Sequence, residues 1–186
     1  MENSFPAIRE MIHLRRATPD DIPLLQRWDD DPDVVASNPN DDWEWEDTFA
    51  QPSPAKESLI AEPDGRPIGF LEILNPALDE ERYWGDTPPE VRAIDIWIGE
   101  PELRGRGHGT EMMRQALARC FARPEVGATL IDPLASNVAA HRFYLRLGFE
   151  FVEERRFGPD DCHVFELTRE RWSALVGNST AFHAMK

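Results

Sequence analysis

The chain has 186 residues, 41% hydrophobic and 30% charged, and a formal net charge of −15 from 35 acidic against 20 basic side chains. That length suits one domain with its own core. The charge repels nucleic acid and anionic membrane surfaces and favours cations, a polycationic small molecule above all.

Cys120 and Cys162 are too few for a disulfide framework or a thiolate metal centre, so a reducing compartment and no metal are expected. Met1 to Arg16 mixes charged and apolar residues, unlike a secretory leader, and no stretch approaches a membrane span. A cytoplasmic protein follows as the expectation.

Ile12-His13-Leu14-Arg15 alternates apolar and polar residues as a first strand does. Thr18-Pro19-Asp20-Asp21 then reads as an N-cap with proline at the first helical position, and the helix runs to about Trp28 on the apolar face Ile22, Leu24, Leu25 and Trp28. From Asp29 to Asp47 the chain turns acidic, with Asp41 and Asp42 among the carboxylates and Trp43 and Trp45 between them. Carboxylates accept hydrogen bonds from ammonium groups, and tryptophan faces lie against cations and sugar rings. This segment is one wall of an acceptor pocket, or a solvated loop and short helix whose tryptophans complete the core.

Lys56 to Glu62 and Pro67 to Leu74 form a hairpin around Pro63-Asp64-Gly65-Arg66. Asn75 to Glu90 is rich in proline and acid and carries Tyr83 and Trp84; it reads equally as a loop that closes over a substrate and as a mobile surface loop. In the strand Val91 to Gly99, Ile94, Ile96 and Ile98 share one face, and Ala93, Asp95 and Trp97 the other. A carboxylate is costly to bury alone, so Asp95 faces a wet cleft or a bound donor, with a salt bridge to Arg92 as the alternative.

Arg104-Gly105-Arg106-Gly107-His108-Gly109-Thr110 joins that strand to a helix over Glu111 to Phe121. Glycines allow φ > 0 and close backbone approach, and a helix N-terminus offers free N–H groups and the positive end of its dipole, so strand, loop and helix make an anion cradle. The loop lacks the Gly-Lys-Ser/Thr ending of a Walker loop and the three-glycine dinucleotide pattern. Thr129 to Asp132 is a short strand whose last residue, before Pro133, looks into a cleft. Ser136 or Asn137 caps a helix that runs to Leu147 and closes on Gly148. Phe149 to Arg156 and Cys162 to Leu167 form a final hairpin around Gly158-Pro159-Asp160-Asp161. Ser173 to Lys186 has weak periodicity: a short helix, a frayed end or a packing arm.

The run Arg104-x-x-Gly107-x-Gly109, followed by Asp132-Pro133-x-x-Ser136-Asn137 and Tyr144-x-x-x-Gly148-Phe149, resembles the acyl-CoA site of the GNAT acetyltransferase superfamily. The resemblance covers residues 90–170 well and the remainder more loosely. It implies an α/β (α+β) fold in one domain over 1–186, with a core over about 12–172. A mixed sheet of about six or seven strands would be flanked by helices, with acyl-CoA at a splayed strand pair.

It further implies that Arg104, Gly105, Arg106, Gly107, His108, Gly109 and Thr110 hold the pyrophosphate of acetyl-CoA. Asn137 and Ala140 would lie along the pantetheine, a backbone N–H on Ile96, Trp97 or Ile98 would face the thioester oxygen, and Tyr144 would act as acid. Tyr144 at its helical spacing also reads as core.

Within the superfamily, Ile94-Asp95 and Asp132-Pro133 look like the aminoglycoside 6′-N-acetyltransferases, which makes Asp95 the base and Asp132 a ligand for a cationic amine. Trp43, Trp45, Tyr83 and Trp84 would complete that pocket. The alternatives are a siderophore-type lysine or hydroxylysine N-acyltransferase and a non-catalytic acyl-CoA sensor. A monomer or homodimer is expected.

Overall fold

A computed structural model describes residues 11–40 and 43–183, with side chains of the last helix given to residue 177; Asp41 and Asp42 lie outside the described residues. The elements are β1 (Ile12–Arg16), α1 (Ile22–Asp29), α2 (Pro32–Ser37), α3 (Trp45–Ala50), β2 (Lys56–Pro63), β3 (Gly69–Leu74) and β4 (Val91–Ile98). They continue with α4 (His108–Phe121), β5 (Ala128–Ile131), α5 (Val138–Arg146), β6 (Glu150–Phe157), β7 (Asp160–Thr168) and α6 (Arg169–His183). The strands form one seven-stranded sheet in the order β1-β2-β3-β4-β5-β7-β6. All neighbours are antiparallel except β4 and β5, which run parallel around the α4 crossover.

Alternation along the strands decides what covers each face. Leu59, Leu71, Ile73 and Ile94 meet Met112, Met113, Ala116 and Leu117 of α4 in the largest core cluster. On the opposite face the residues between them in sequence build two separate clusters. Ile60, Phe70 and Trp97 pack with Leu25, Trp28, Val34 and Trp45 from α1–α3, while Leu74 and Ala93 pack with Trp84, Phe157 and Val164.

The acidic segment after Trp28 therefore folds as two short helices whose tryptophans are structural. Trp45 is 3% exposed in the α1–α3 cluster, and Trp43 stacks on it at 5.2 Å and meets Trp97 at 4.9 Å. Packing gives the core alternative for both rings; neither lines the cleft described below. Trp84, 4% exposed, is likewise enclosed by its cluster.

Among the boundaries that differ from the sequence expectation, three have a plain physical reason. Helix α4 begins at His108, three residues before Glu111, because Gly107 takes the left-handed conformation (φ +92°) as its N-cap. The last helix starts at Arg169 rather than Ser173. It is anchored by Arg169, which donates to the carbonyls of Val126 and Phe121 at 2.8 and 2.9 Å, and by Trp172 stacked on Phe121. Apolar periodicity does not report an anchor made by an arginine on backbone carbonyls. The turn of the last hairpin is tighter, with Asp160 already in β7.

Candidate active site

Strands β4 and β5 pair only over Val91 with Ala128, Arg92 with Thr129 and Ala93 with Leu130. Beyond Ala93 they part. A cleft of about 530 Å³ opens there, lined by Ile94 to Ile98 on one side and Ile131 to Leu134 on the other. A strand without its neighbour leaves main-chain groups on that edge free for a ligand.

On the α4 side the cleft reaches Arg104, Gly105, Gly107, Gly109 and Thr110. Gly105 and Gly107 have φ of +71° and +92°, and a Cβ on either would meet nothing within 4 Å, so conformation rather than space requires glycine. The first-turn N–H groups of α4 point into the loop, an arrangement suited to a pyrophosphate.

The guanidinium of Arg104 is committed elsewhere. It donates to the Ile98 carbonyl at 3.0 Å and pairs with Asp31 and Asp33 of the α2 entry at 2.7 and 2.6 Å. Burial works against the Asp31 charge, but Arg104 and the α2 backbone N–H groups outweigh it and hold Asp31 below its ordinary pKa. Arg104 therefore ties the glycine loop to α2. Arg106 and His108 are not among the lining residues.

Helix α5 closes the same side. Asn137 is its N-cap, its Oδ1 accepting from the Ala140 N–H at 3.1 Å, and Asn137 and Ala140 both line the cleft. Tyr144, 8% exposed, belongs to the main core and to the cleft wall at once. It packs edge-on against Phe143 and Phe149. Burial first, then the charges of Asp95 and Asp132, push its pKa up, so the phenol keeps its proton across neutral pH.

The other face supplies the carboxylates. Asp95 lies between Ala93 and Trp97, whose side chains enter different clusters, and it lines the cleft. Arg92 is not its partner: that side chain stands on the α4 face and donates to the carbonyls of Pro89 and Val91. Asp132 follows the end of β5 and accepts a 2.7 Å hydrogen bond from the Tyr83 hydroxyl. Tyr83 stacks flat on Phe157 at 4.5 Å. Burial and then the neighbouring Asp132 raise the Tyr83 pKa, which keeps it a donor. Of the loop aromatics, Tyr83 reaches the cleft and Trp84 does not.

Several lining residues carry no signal in the motifs above: Asp33, Val34 and Ser37 of α2, Asn38 just after it, Phe143, and Cys162. For α2 a local signal does exist in Asp31-Pro32, an N-cap whose side chain accepts from the Asp33 N–H at 3.0 Å, with proline at the first helical position.

The cleft is thus lined by the glycine loop and the start of α4, by α5 with Tyr144, and by Asp95 and Asp132 where β4 and β5 part. A carboxyl group and a protonated phenol in one cleft are side chains of the kinds that serve proton transfer in acyl transfer to an amine.

Residues 17–157 match the family model described as an acetyltransferase (GNAT) domain. An aminoglycoside N(6′)-acetyltransferase type 1 of Klebsiella pneumoniae is 29% identical over 157 residues, which is 76% of this chain and 75% of that protein. The crystal structure of AAC(6′)-Ib with coenzyme A superposes with a TM-score of 0.80 at 24% identity, covering 88% of this chain and 98% of that one. Its complex with coenzyme A and kanamycin gives 0.79 at 25% identity over the same shares. A match spanning most of the chain, on a sheet parted at β4 and β5, identifies the protein as an acetyltransferase belonging to the GNAT family.

Proposed function

We propose that this enzyme transfers the acetyl group of acetyl-CoA to a primary amine of an aminoglycoside, at the 6′ position. The observation that supports the reading is that Asp95, Asp132 and Tyr144 line one cleft, where β4 and β5 part. The similarity to aminoglycoside acetyltransferases over three quarters of the chain supports the substrate class.

Acetyl-CoA supplies the activated thioester. Backbone N–H groups of Gly105 to Thr110 hold its anionic end, Asn137 and Ala140 flank its path, and the open edge of β4 at Ile96 to Ile98 offers an N–H to the carbonyl oxygen. Asp132 binds the acceptor ammonium, and Tyr83 moves its hydroxyl aside or shares the carboxylate. Asp95 takes a proton from the ammonium so that the nitrogen lone pair is free, and Tyr144 gives its proton to the departing sulfur. The excess of acidic side chains favours a polycation in this chamber.

Thiol release from acetyl-CoA with kanamycin and tobramycin, compared at equal concentration with lysine, hydroxylysine and spermidine, tests the proposal. Saturable release with the aminoglycosides at a KM in the micromolar range is expected. Release with lysine or hydroxylysine alone would overturn the substrate assignment and leave the acetyl-CoA site standing.

A further inference from the structure

One buried carboxyl has no part in the chemistry above. Glu72, on β3, is 3% exposed and lies in register directly opposite Asp95 on β4. Residues facing each other across antiparallel strands share a face, with Cβ atoms about 4.5–5.5 Å apart. On the other side Glu72 is in register with Ser58 of β2, whose hydroxyl donates to it at 3.0 Å.

Ser58, Glu72 and Asp95 therefore form a polar row across three strands. It runs in the seam between the Phe70–Trp97 cluster and the Leu74–Ala93 cluster. One more strand along, two residues past the last β4–β5 pair, the row reaches Asp132. An apolar face interrupted by one polar row that ends at the cleft is a costly arrangement unless the row serves the cleft.

We propose that Glu72 is a positioning residue for Asp95: seated beside it in neutral form, it donates a carboxyl hydrogen bond that aims Asp95 at the acceptor amine. This rests on the role of Asp95 as base. Lys56, on β2, is the competing partner. Its ammonium is 3.9 Å from Glu72, beyond hydrogen-bond reach, and its side chain is 29% exposed against 4% for Glu72. Against that cation and the Ser58 hydroxyl stand burial and the carboxylates of Asp79 and Glu81 after β3. Burial is the largest influence, and the balance raises the Glu72 pKa. A neutral donor beside Asp95 lowers the proton affinity of that carboxylate, whereas a second charge would raise it.

Thermal unfolding of wild type and Glu72→Gln across pH tests the charge state without any acceptor. A carboxyl whose pKa is raised on folding costs stability as pH climbs from its unfolded value, about 4.3, towards its folded one. The Tm of Glu72→Gln minus that of wild type is expected to grow with pH over this interval. A difference that shrinks with pH would mean an ionised Glu72 paired with Lys56 and would overturn the proposal.

The pH dependence of kcat/KM tests the positioning. Glu72→Gln keeps an N–H donor and is expected within about 3-fold of wild type with its acid limb nearly unmoved. Glu72→Leu loses the donor, and each unit by which its acid limb moves up costs about tenfold at low pH, with acetyl-CoA affinity retained. Equal losses in both variants with an unmoved acid limb would overturn it. If no aminoglycoside is a substrate, the unfolding experiment still decides the state of Glu72.

Discussion

On one side of the β4–β5 gap the cleft is lined by the backbone of a single stretch, at Gly105, Gly107, Gly109 and Thr110. Elsewhere it offers carboxylates and aromatic rings from segments far apart in the chain: α2, the Tyr83 loop, β4, the end of β5, α5 and β7. The first half depends on conformation: two glycines with φ > 0 and a helix start. The second depends on which side chains the sheet brings level. A local motif can specify the first; only the assembled topology specifies the second.

Replacing groups from each half separately sharpens the contrast. Asp95→Asn sits where the halves meet and is expected to lower kcat by about 10²–10⁴-fold. Acetyl-CoA affinity, measured by calorimetry, should stay within about twofold. Asp132→Asn belongs to the acceptor half alone. Loss of one charge-assisted contact, about 1.5–3 kcal/mol, should raise the aminoglycoside KM by roughly 10- to 100-fold in steady-state kinetics, with little change in kcat. Gly107→Ala belongs to the other half. Forcing a Cβ into the left-handed region costs about 1–2 kcal/mol, so acetyl-CoA should bind roughly tenfold more weakly while the acceptor KM holds. A Gly107→Ala enzyme that instead lost acceptor binding would break the division.

The same contrast explains how much could be read from the sequence. Both strands of the gap, the glycine loop, the helix cap at Ser136 or Asn137 and the Gly148 stop are local features; the cap is Asn137, and β5 lies one residue earlier than expected, ending at Ile131. Gly148 has the left-handed φ of +98° that a C′ stop requires. The isoleucine face of β4 packs on α4, and Asp95 falls on the other side, as alternation requires.

What was not legible involves distant partners. Arg104 reads as a phosphate ligand in its motif, yet Asp31 and Asp33, some 70 residues earlier in the chain, occupy it. Trp43 and Trp45 sit in an acidic stretch that suggests a cation site, but Phe70 and Trp97 give them an apolar seat. Glu72 is surrounded in sequence by Phe70, Leu71, Ile73 and Leu74, and only the strand register reveals that it stands beside Asp95.

The claim that two separately built halves meet at Asp95 and Tyr144 is tested most directly by kcat/KM for the double variant Gly107→Ala/Asp132→Asn with limiting acetyl-CoA and aminoglycoside. Independent sites contribute additively to within about 0.5 kcal/mol. The double variant is therefore predicted to lose the product of the two single losses to within about twofold. A loss no greater than that of the worse single variant would show the loop and the carboxylates acting as one unit and would contradict the account.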